Sequence, residues 1–310
     1  MSSIREALTE YIAMRRALGY KLRMPASGLS KFVSFLEDRQ ASFITNSLAL
    51  EWAQQPSTAQ ASLWSAKLGW VRGFALYRSA SDNRTEIPPY SLLPHKTKRV
   101  RPYLYTDMEV QQLMQAALEL EDTSELRRRT LYCVFGLLAV SGMRVNEVLK
   151  LKLSNIDFNA GVLTVEDAKF GKSRLVPLHA STMKNLSDYK ILRDEFLNTR
   201  PSQIFFINSR GHRLDDGTLR VIFYLLSRKV GLRKENAKNG PRLLDFRHRF
   251  AVRTMLNWYQ NGEDVERRLP VLSTFLGHVH VSDTYWYLSA YPELMGAAVT
   301  RLEKHWEMNL

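Results

Sequence analysis

A run of prolines constrains the fold of this chain more than any other feature. Ile87-Pro88-Pro89-Tyr90 is followed closely by Leu93-Pro94. A Pro-Pro pair cannot continue a helix, because proline lacks the amide donor and its ring clashes with the preceding turn. A chain of 310 residues is also longer than most single cores. We therefore predict two domains, residues 1–92 and 105–310, joined by a linker over 93–104.

The first predicted domain contains four short helices. Ser3 and Glu6 have the spacing of a capping box, and apolar residues then recur at helical spacing until Gly19. Three further segments show helical spacing, and the third of the four helices is the weakest. Their apolar residues lie within Leu29–Leu36, Leu48–Ala53 and Trp64–Ala75. Four such helices predict a compact all-α domain.

Basic residues crowd the predicted linker, at Lys96, Lys98, Arg99 and Arg101. The whole chain has 44 Lys and Arg against 31 Asp and Glu, a formal charge of +13. Such an excess favours a polyanion, since cations displace the counterions held by phosphates. We interpret the linker as lying along the backbone of double-stranded DNA. A solvated hinge is the alternative for the linker, and incidental basicity is an equal alternative for the whole chain.

The second predicted domain is mainly helical. Thr106 is placed to cap its first helix, and a long apolar helix follows from about Leu126 to Val140. The helical pattern returns from Thr218 onward. The domain therefore has helices on both sides of its central part.

Short strands are predicted in that central part. Val162–Val165 and Ser173–Leu178 are strand-like, and Lys169-Phe170-Gly171-Lys172 between them has the composition of a hairpin turn. Ile204–Ile207 is predicted as a third short strand, ending at Ser209-Arg210-Gly211. Together these stretches indicate a small sheet within a helical domain.

Three motifs supply residues that suit chemistry on a phosphodiester. Arg144 lies in Ser-Gly-Met-Arg-Val-Asn-Glu, Arg247 lies in Asp-Phe-Arg-His, and His278 ends a Leu-Gly-His triplet. Tyr287 follows that histidine by nine residues. A tyrosine is a poor nucleophile unless its target is held in line and neutralised, and two guanidinium forks each match two phosphate oxygens. The set indicates a DNA strand-transferring enzyme with a covalent phosphotyrosine intermediate.

These motifs, in this order, resemble those of the tyrosine recombinases, also called the phage-integrase family. The resemblance runs from about Tyr105 to the end, and the first domain is similar to the SAM-like core-binding domain of that family. It implies a mainly α fold with a small antiparallel β-sheet, in which two domains clamp duplex DNA. It also implies site-specific recombination through a 3′-phosphotyrosine link, a free 5′-hydroxyl and a Holliday junction, as in a mobile-element integrase or transposase.

The resemblance assigns a role to each motif residue. Arg144 and Arg247 bind the scissile phosphate, and Glu147 fixes the surroundings of Arg144. His278 donates a hydrogen bond to the phosphate, and Tyr287 is the nucleophile. Catalysis then rests on positioning and on cationic stabilisation of the phosphorus centre.

Two of these assignments have competitors nearby. The family carries a catalytic lysine on the hairpin, which implies that Lys169 protonates the leaving 5′-oxygen. Lys172 is the competing lysine and is otherwise expected to bind DNA. Tyr285 and Tyr291 are the alternatives to Tyr287 as nucleophile.

One position departs from the family pattern. The family usually carries histidine three residues before its second arginine, and this chain has Leu244 there. Leucine neither donates to a phosphate oxygen nor accepts a proton, and losing one acid–base group slows a reaction by about 10²–10⁴-fold. We expect slower cleavage, and faster cleavage by Leu244→His. His248 lies about 100° around a helix from Arg247, and we do not expect it to substitute.

No cofactor, metal or membrane contact is predicted. The chain has no phosphate-binding or dinucleotide glycine motif, and His278 with His280 lacks a third metal ligand. The first residues contain no signal-peptide core, and no apolar run is long enough for a bilayer. We expect a cytoplasmic, nucleoid-associated bacterial protein.

The predicted C-terminal helix has a possible role in oligomerisation. It carries Leu294, Ala298 and Leu302 on an apolar face that needs a partner. The resemblance implies packing into a neighbouring protomer of a homotetramer on DNA. Packing against its own domain is equally open.

Two other functions stay open at this point. A type IB topoisomerase uses similar chemistry to relax supercoils without exchanging partners. A catalytically impaired DNA-binding homologue of a recombinase is the second alternative, and Leu244 is the residue that suggests it.

Overall fold

The computed structural model describes residues 3–90, 92–93, 101–166, 173–237 and 239–307, without the side chains of 289–290 and 304–307. The chain forms two compact units, Met1–Val100 and Arg101–Leu310. Five residues with predicted roles lie outside the described residues: Lys96, Lys98, Arg99, Lys169 and Lys172.

The first unit is a helical bundle, as the apolar spacing predicts. Reciprocal hydrogen bonds between Ser3 and Glu6 confirm the predicted capping box. The predicted apolar faces of the second and fourth helices meet in one core, where Phe32, Val33 and Val71 are fully buried. The helices are α1 (Ile4–Ala17), α2 (Arg23–Asp38), α3 (Asn46–Ala53) and α4 (Ala61–Ser79).

The second unit is also mainly helical. Thr106 caps its first helix, as predicted, and the structure adds a capping box with Glu109. Gly142 ends the second helix in the left-handed conformation. Among the helices in the described ranges, none combines the length and the apolar composition of a membrane span. The helices are α5 (Asp107–Leu118), α6 (Glu125–Ser141), α7 (Val145–Leu149), α8 (Ala180–Leu197), α9 (Asp216–Lys229), α10 (Asp245–Gln260), α11 (Val265–Leu276), α12 (Ser282–Ala290) and α13 (Pro292–Glu307).

A three-stranded antiparallel sheet accompanies these helices, with β1 (Ile156–Asp157), β2 (Val162–Val165) and β3 (Arg174–Pro177) in that order. Leu163 of β2 pairs with Val176 of β3, and both side chains are fully buried. The two predicted strands of the hairpin are therefore confirmed.

The predicted third strand, Ile204–Ile207, is wrong. The segment forms only isolated bridges to Lys152 and Arg213. Its carbonyls have another partner, because the guanidinium of Arg193 donates to the carbonyl oxygens of Ser202, Ile204 and Phe205. The third strand of the sheet is instead Ile156–Asp157.

Two apolar cores support the second unit. The larger core joins α5 to α9 with the sheet, and the smaller joins α10 to α13. The last helix packs against α10 and α12 of its own unit, where Leu294 is fully buried and Arg301 donates to the carbonyl oxygen of Glu263. Met295, Val299 and Leu302 on the same helix are exposed.

Candidate active site

The end of α11 brings the predicted site residues together. Gly277 ends this helix in the left-handed conformation, with φ of 69°, which glycine adopts without strain. A Cβ at this position would lie only 3.2 Å from Nη1 of Arg174. The glycine of the Leu-Gly-His motif therefore turns the chain and leaves room for guanidinium groups against the backbone.

Two arginines bind consecutive carbonyl oxygens at this helix end. Nη2 of Arg247 donates to the oxygen of Leu276 at 2.5 Å, and Nη2 of Arg144 donates to that of Gly277 at 2.8 Å. Carbonyls at a helix C-terminus carry partial negative charge, which favours cations there. The fixed acceptors of one helix end thus hold two guanidinium groups next to each other.

The two guanidinium groups repel each other. Burial, together with the positive charge of Arg144, lowers the pKa of Arg247 to about 10. Arg247 is still protonated at neutral pH, although its side chain is almost completely buried. A bound anion would relieve the repulsion and accept charge-assisted hydrogen bonds from both forks. The pair is therefore suited to a phosphodiester.

Arg247 also joins two helix ends. Its Nη1 donates to the carbonyl oxygen of Gly142 at 2.8 Å, just after α6, while its Nη2 bonds the end of α11. A Cβ at Gly142 would lie 2.6 Å from the ring of Phe250 on α10. The glycine in the first arginine motif thus allows α6 and α10 to approach closely.

Glu147 orients the neighbouring cations. Its carboxylate accepts from Nη1 of Arg144 at 2.8 Å and from Nη2 of Arg174 at 2.7 Å. Burial alone would raise the pKa of this carboxyl, but hydrogen bonds from Arg174 and from the Arg144 backbone outweigh it and lower the pKa. An ionised Glu147 therefore holds both guanidinium groups in place at neutral pH.

His278 is held by the next helix. Its Nδ1 lies 2.7 Å from Oγ1 of Thr284, which is fully buried on α12. Burial first, and then the charge of Arg247, lowers the pKa of His278 to about 4. The ring is neutral at pH 7, and with Thr284 as the donor it carries its proton on Nε2. That nitrogen can then donate to an anion.

Tyr287 lies against both histidines of this cluster. Its ring centroid is 5.5 Å from that of His248 and 6.5 Å from that of His278, and its hydroxyl oxygen is 3.0 Å from Nδ1 of His248. Tyr285 is exposed. Tyr291 is buried, and its hydroxyl donates to the carbonyl oxygen of Pro102 at 3.3 Å. Of the three candidate tyrosines, Tyr287 is the one placed with the site histidines.

The other described residues with predicted roles lie as follows. Arg101 pairs with Glu293 at 3.2 Å, and both side chains are about half exposed. Leu244 directly precedes α10, and its side chain is 46% exposed. Within the described residues, no group of three or more His, Cys, Asp or Glu could hold a metal ion.

Two residues of the cluster were not predicted. His248 was not expected to take part, because it lies about 100° around the helix from Arg247. The angle that matters is the one from Leu244, where the family usually has a histidine. His248 follows Leu244 by four positions, so the two lie within about 40° on one helix face. Arg174 is the second residue that was not predicted. The sequence feature that could have indicated it is a positively charged side chain in an otherwise apolar strand. Its guanidinium contact with Glu147 joins residues 27 apart.

Comparisons with known proteins show the family and the fold of this chain. The phage integrase family model matches residues 104–293. The chain is similar to the putative integrase/recombinase y4rB of Sinorhizobium fredii, with 52% identity over 99% of each chain. It also resembles the solved structure of XerH site-specific recombinase bound to a palindromic difH substrate, with a TM-score of 0.65, 19% identity, and 90% of this chain and 78% of that chain covered. A lambda integrase tetramer bound to a Holliday junction matches with a TM-score of 0.62, 19% identity and the same coverage.

Proposed function

The chain belongs to the phage integrase family and is a site-specific recombinase of the tyrosine type, and we propose that Tyr287 is its nucleophile. In this proposal the phenol oxygen attacks the scissile phosphorus, forms a 3′-phosphotyrosyl ester and releases a 5′-hydroxyl. A 5′-hydroxyl from the partner duplex then displaces the tyrosine. The ester conserves the energy of the broken bond, so rejoining needs no ATP.

One arrangement carries this proposal: Arg144 and Arg247 bind the consecutive carbonyls of Leu276 and Gly277, and the ring of Tyr287 stacks on that of the next residue, His278. The two guanidinium forks would bind the non-bridging phosphate oxygens, where charge develops in the transition state. His278 would donate from Nε2 to one of these oxygens. Lys169 would protonate the leaving 5′-oxygen.

The proposed substrate is a specific site in double-stranded DNA, and the proposed assembly is a homotetramer. The net charge of +13 supports a polyanion partner. The similar structures support the specific site and the tetramer, since XerH is bound to its difH substrate and lambda integrase is a tetramer on a Holliday junction. The helical domain and the catalytic domain would clamp the duplex, with phosphate contacts from Lys96, Lys98, Arg99, Arg101 and Lys172. The similarity to y4rB, a putative integrase/recombinase of Sinorhizobium fredii, supports an integrase. In this proposal the integrase belongs to a mobile element and acts on bacterial DNA in the cytoplasm.

A nicked suicide substrate tests this function. Cleavage close to the nick releases a short fragment, which prevents rejoining and leaves the protein attached to DNA. Inverted repeats in the DNA flanking the gene supply the candidate site. We expect an adduct that resists denaturant and whose peptide map places the 3′-phosphate on Tyr287. Tight binding without any adduct would instead identify a catalytically impaired DNA-binding homologue.

Plasmid relaxation separates the proposal from a type IB topoisomerase. A recombinase should act at its own site and leave a supercoiled plasmid without that site unchanged. Efficient relaxation of such a plasmid would contradict the recombinase function.

We also propose that Leu244 makes cleavage slower than a histidine at that position would. Its exposed side chain offers no donor to a phosphate oxygen. The Leu244→His variant should cleave up to about tenfold faster, because a hydrogen bond to a charged group contributes about 1.5 kcal/mol. Single-turnover cleavage of the suicide substrate measures the change, with Leu244→Phe as a control that adds a ring without a hydrogen-bond donor. A rate equal to that of the wild type would show that the missing donor does not limit cleavage.

A further inference from the structure

The imidazole of His248 lies at the atom that reacts. Its Nδ1 is 3.0 Å from the hydroxyl oxygen of Tyr287, a distance at which a proton can be shared between them. The contact joins α10 to α12 across 39 residues. A catalytic role for this contact rests on the proposed function, in which that hydroxyl attacks phosphorus.

Packing holds this contact in place. The rings of Trp286 and Tyr287 lie 5.9 Å and 5.5 Å from that of His248, both edge to face. Arg247 precedes His248 on α10, and its two carbonyl contacts fix that turn of the helix. The imidazole therefore has little freedom to leave the phenol.

His248 is in the protonation state that a proton acceptor needs. Burial lowers the pKa of His248 to about 4, with smaller effects from the charges of Asp245, Arg242 and Arg247. The ring is neutral at pH 7, and with its proton on Nε2 it presents a lone pair from Nδ1 to the phenol. An approaching DNA phosphate adds negative charge, which raises the affinity of the imidazole for a proton.

The position of His248 on the helix suits it to replace a missing histidine. Leu244 stands where the family usually has a histidine, and His248 follows it by one turn on the same face of α10. Leu244 neither accepts nor donates a proton, and its side chain is exposed. An imidazole one turn further along reaches the nucleophile instead.

We propose that His248 is the general base that activates Tyr287. As the phenol oxygen bonds to phosphorus and the bond from phosphorus to the 5′-oxygen breaks, the phenol proton moves to Nδ1 of His248. A separate acid, Lys169 in the proposed function, supplies the proton for the 5′-oxygen. In rejoining, the imidazolium returns its proton to the departing phenolate, so each step is balanced without a co-reactant.

The transfer is feasible although a neutral phenol is a weaker acid than an imidazolium. The proton becomes far more acidic as the phenol oxygen forms its bond to phosphorus, because the oxygen loses electron density in the transition state. A base that acts in this step contributes about 10²–10⁴-fold to the rate. The hydrogen bond in the resting protein aligns the phenol for this transfer.

Two variants and two substrates test the assignment. His248→Ala removes the imidazole, and His248→Asn keeps an acceptor near Nδ1 that cannot take up a proton. Each is assayed on the suicide substrate with the natural 5′-oxygen and with a 5′-bridging sulfur, which leaves as a thiolate without an acid. We expect both variants to form adduct at least about 10²-fold more slowly on both substrates. Lys169→Ala should be slow on the oxygen substrate and regain its rate on the sulfur substrate.

Controls separate the possible failures. His212→Ala removes an exposed histidine and should cleave like the wild type. Thermal unfolding and DNA binding check that each His248 variant is folded, and Leu244→His should restore part of the rate to His248→Asn, because the imidazole returns on the same helix face. Cleavage by His248→Asn within about threefold of wild type, or rescue of His248→Ala by the sulfur substrate, would overturn the general-base role. Absence of any adduct with the wild type would instead contradict the proposed function itself.

Discussion

Tyr287→Phe will bind the recombination site as tightly as the wild type and will form no covalent adduct. The ring of Tyr287 is 2% exposed within the core of α10 to α13, and phenylalanine retains all of its ring packing. The variant loses the hydroxyl that contacts His248, a hydrogen bond that contributes about 1 kcal/mol to stability. Because no oxygen is left to attack phosphorus, adduct formation falls below detection. Mobility shift on intact site DNA measures binding, and the nicked substrate measures cleavage.

The neighbouring tyrosines are matched controls for this loss. Tyr285→Phe changes an exposed side chain and should cleave normally. Tyr291→Phe removes a buried hydroxyl that donates to Pro102, so it should lower thermal stability while cleavage continues. If Tyr287→Phe still forms an adduct that maps to Tyr285 or Tyr291, the assignment of the nucleophile is wrong.

Local spacing accounts for the parts of the fold that could be predicted. The capping box at Ser3 and the helix cap at Thr106 each form within four residues, and both are present in the structure. The two strands of the hairpin pair in the predicted places. Such features depend on contacts between residues close in sequence, which the pattern of a single chain specifies.

Long-range contacts account for the parts of the structure that could not be predicted from the sequence. Ile204–Ile207 has the composition of a strand, but its carbonyls bind Arg193 on α8, a helix that the apolar spacing did not predict. Likewise, the importance of Arg174 depends on Glu147, which lies in a different element. Sequence spacing does not reveal which distant side chain will satisfy a backbone or charged group.

His248 shows a different limit of sequence reasoning. The helix that contains His248 can be predicted from the sequence. The angle between His248 and Arg247 shows only that these two side chains point in different directions. The relevant reference is Leu244, the position that lacks a proton-accepting group. A departure from a family motif therefore directs attention to the residue one helical turn away on the same face, before a loss of chemistry is inferred.

Arg247→Lys will slow cleavage by about 10³-fold, since removal of one preorganised donor at a charged transition state has an effect of this order. Lysine keeps the charge but loses the planar fork. In the wild type that fork donates to Gly142 and Leu276 and, in our proposal, to the phosphate. A single ammonium cannot replace these contacts together, and an unsatisfied buried carbonyl costs about 1–3 kcal/mol. Single-turnover cleavage and thermal unfolding, measured on the same preparation, report the two losses separately.

Arg249→Lys distinguishes loss of chemistry from loss of stability. Arg249 is 7% exposed and donates from Nε to the carbonyl oxygen of Tyr105 at 3.0 Å. It lies two residues beyond Arg247 and thus on another face of α10, so its lysine variant should lose similar stability but cleave within about threefold of wild type. Equal losses of cleavage in the two variants would mean that folding limits both. A wild-type rate for Arg247→Lys would mean that its guanidinium serves the two helix ends and not the phosphate.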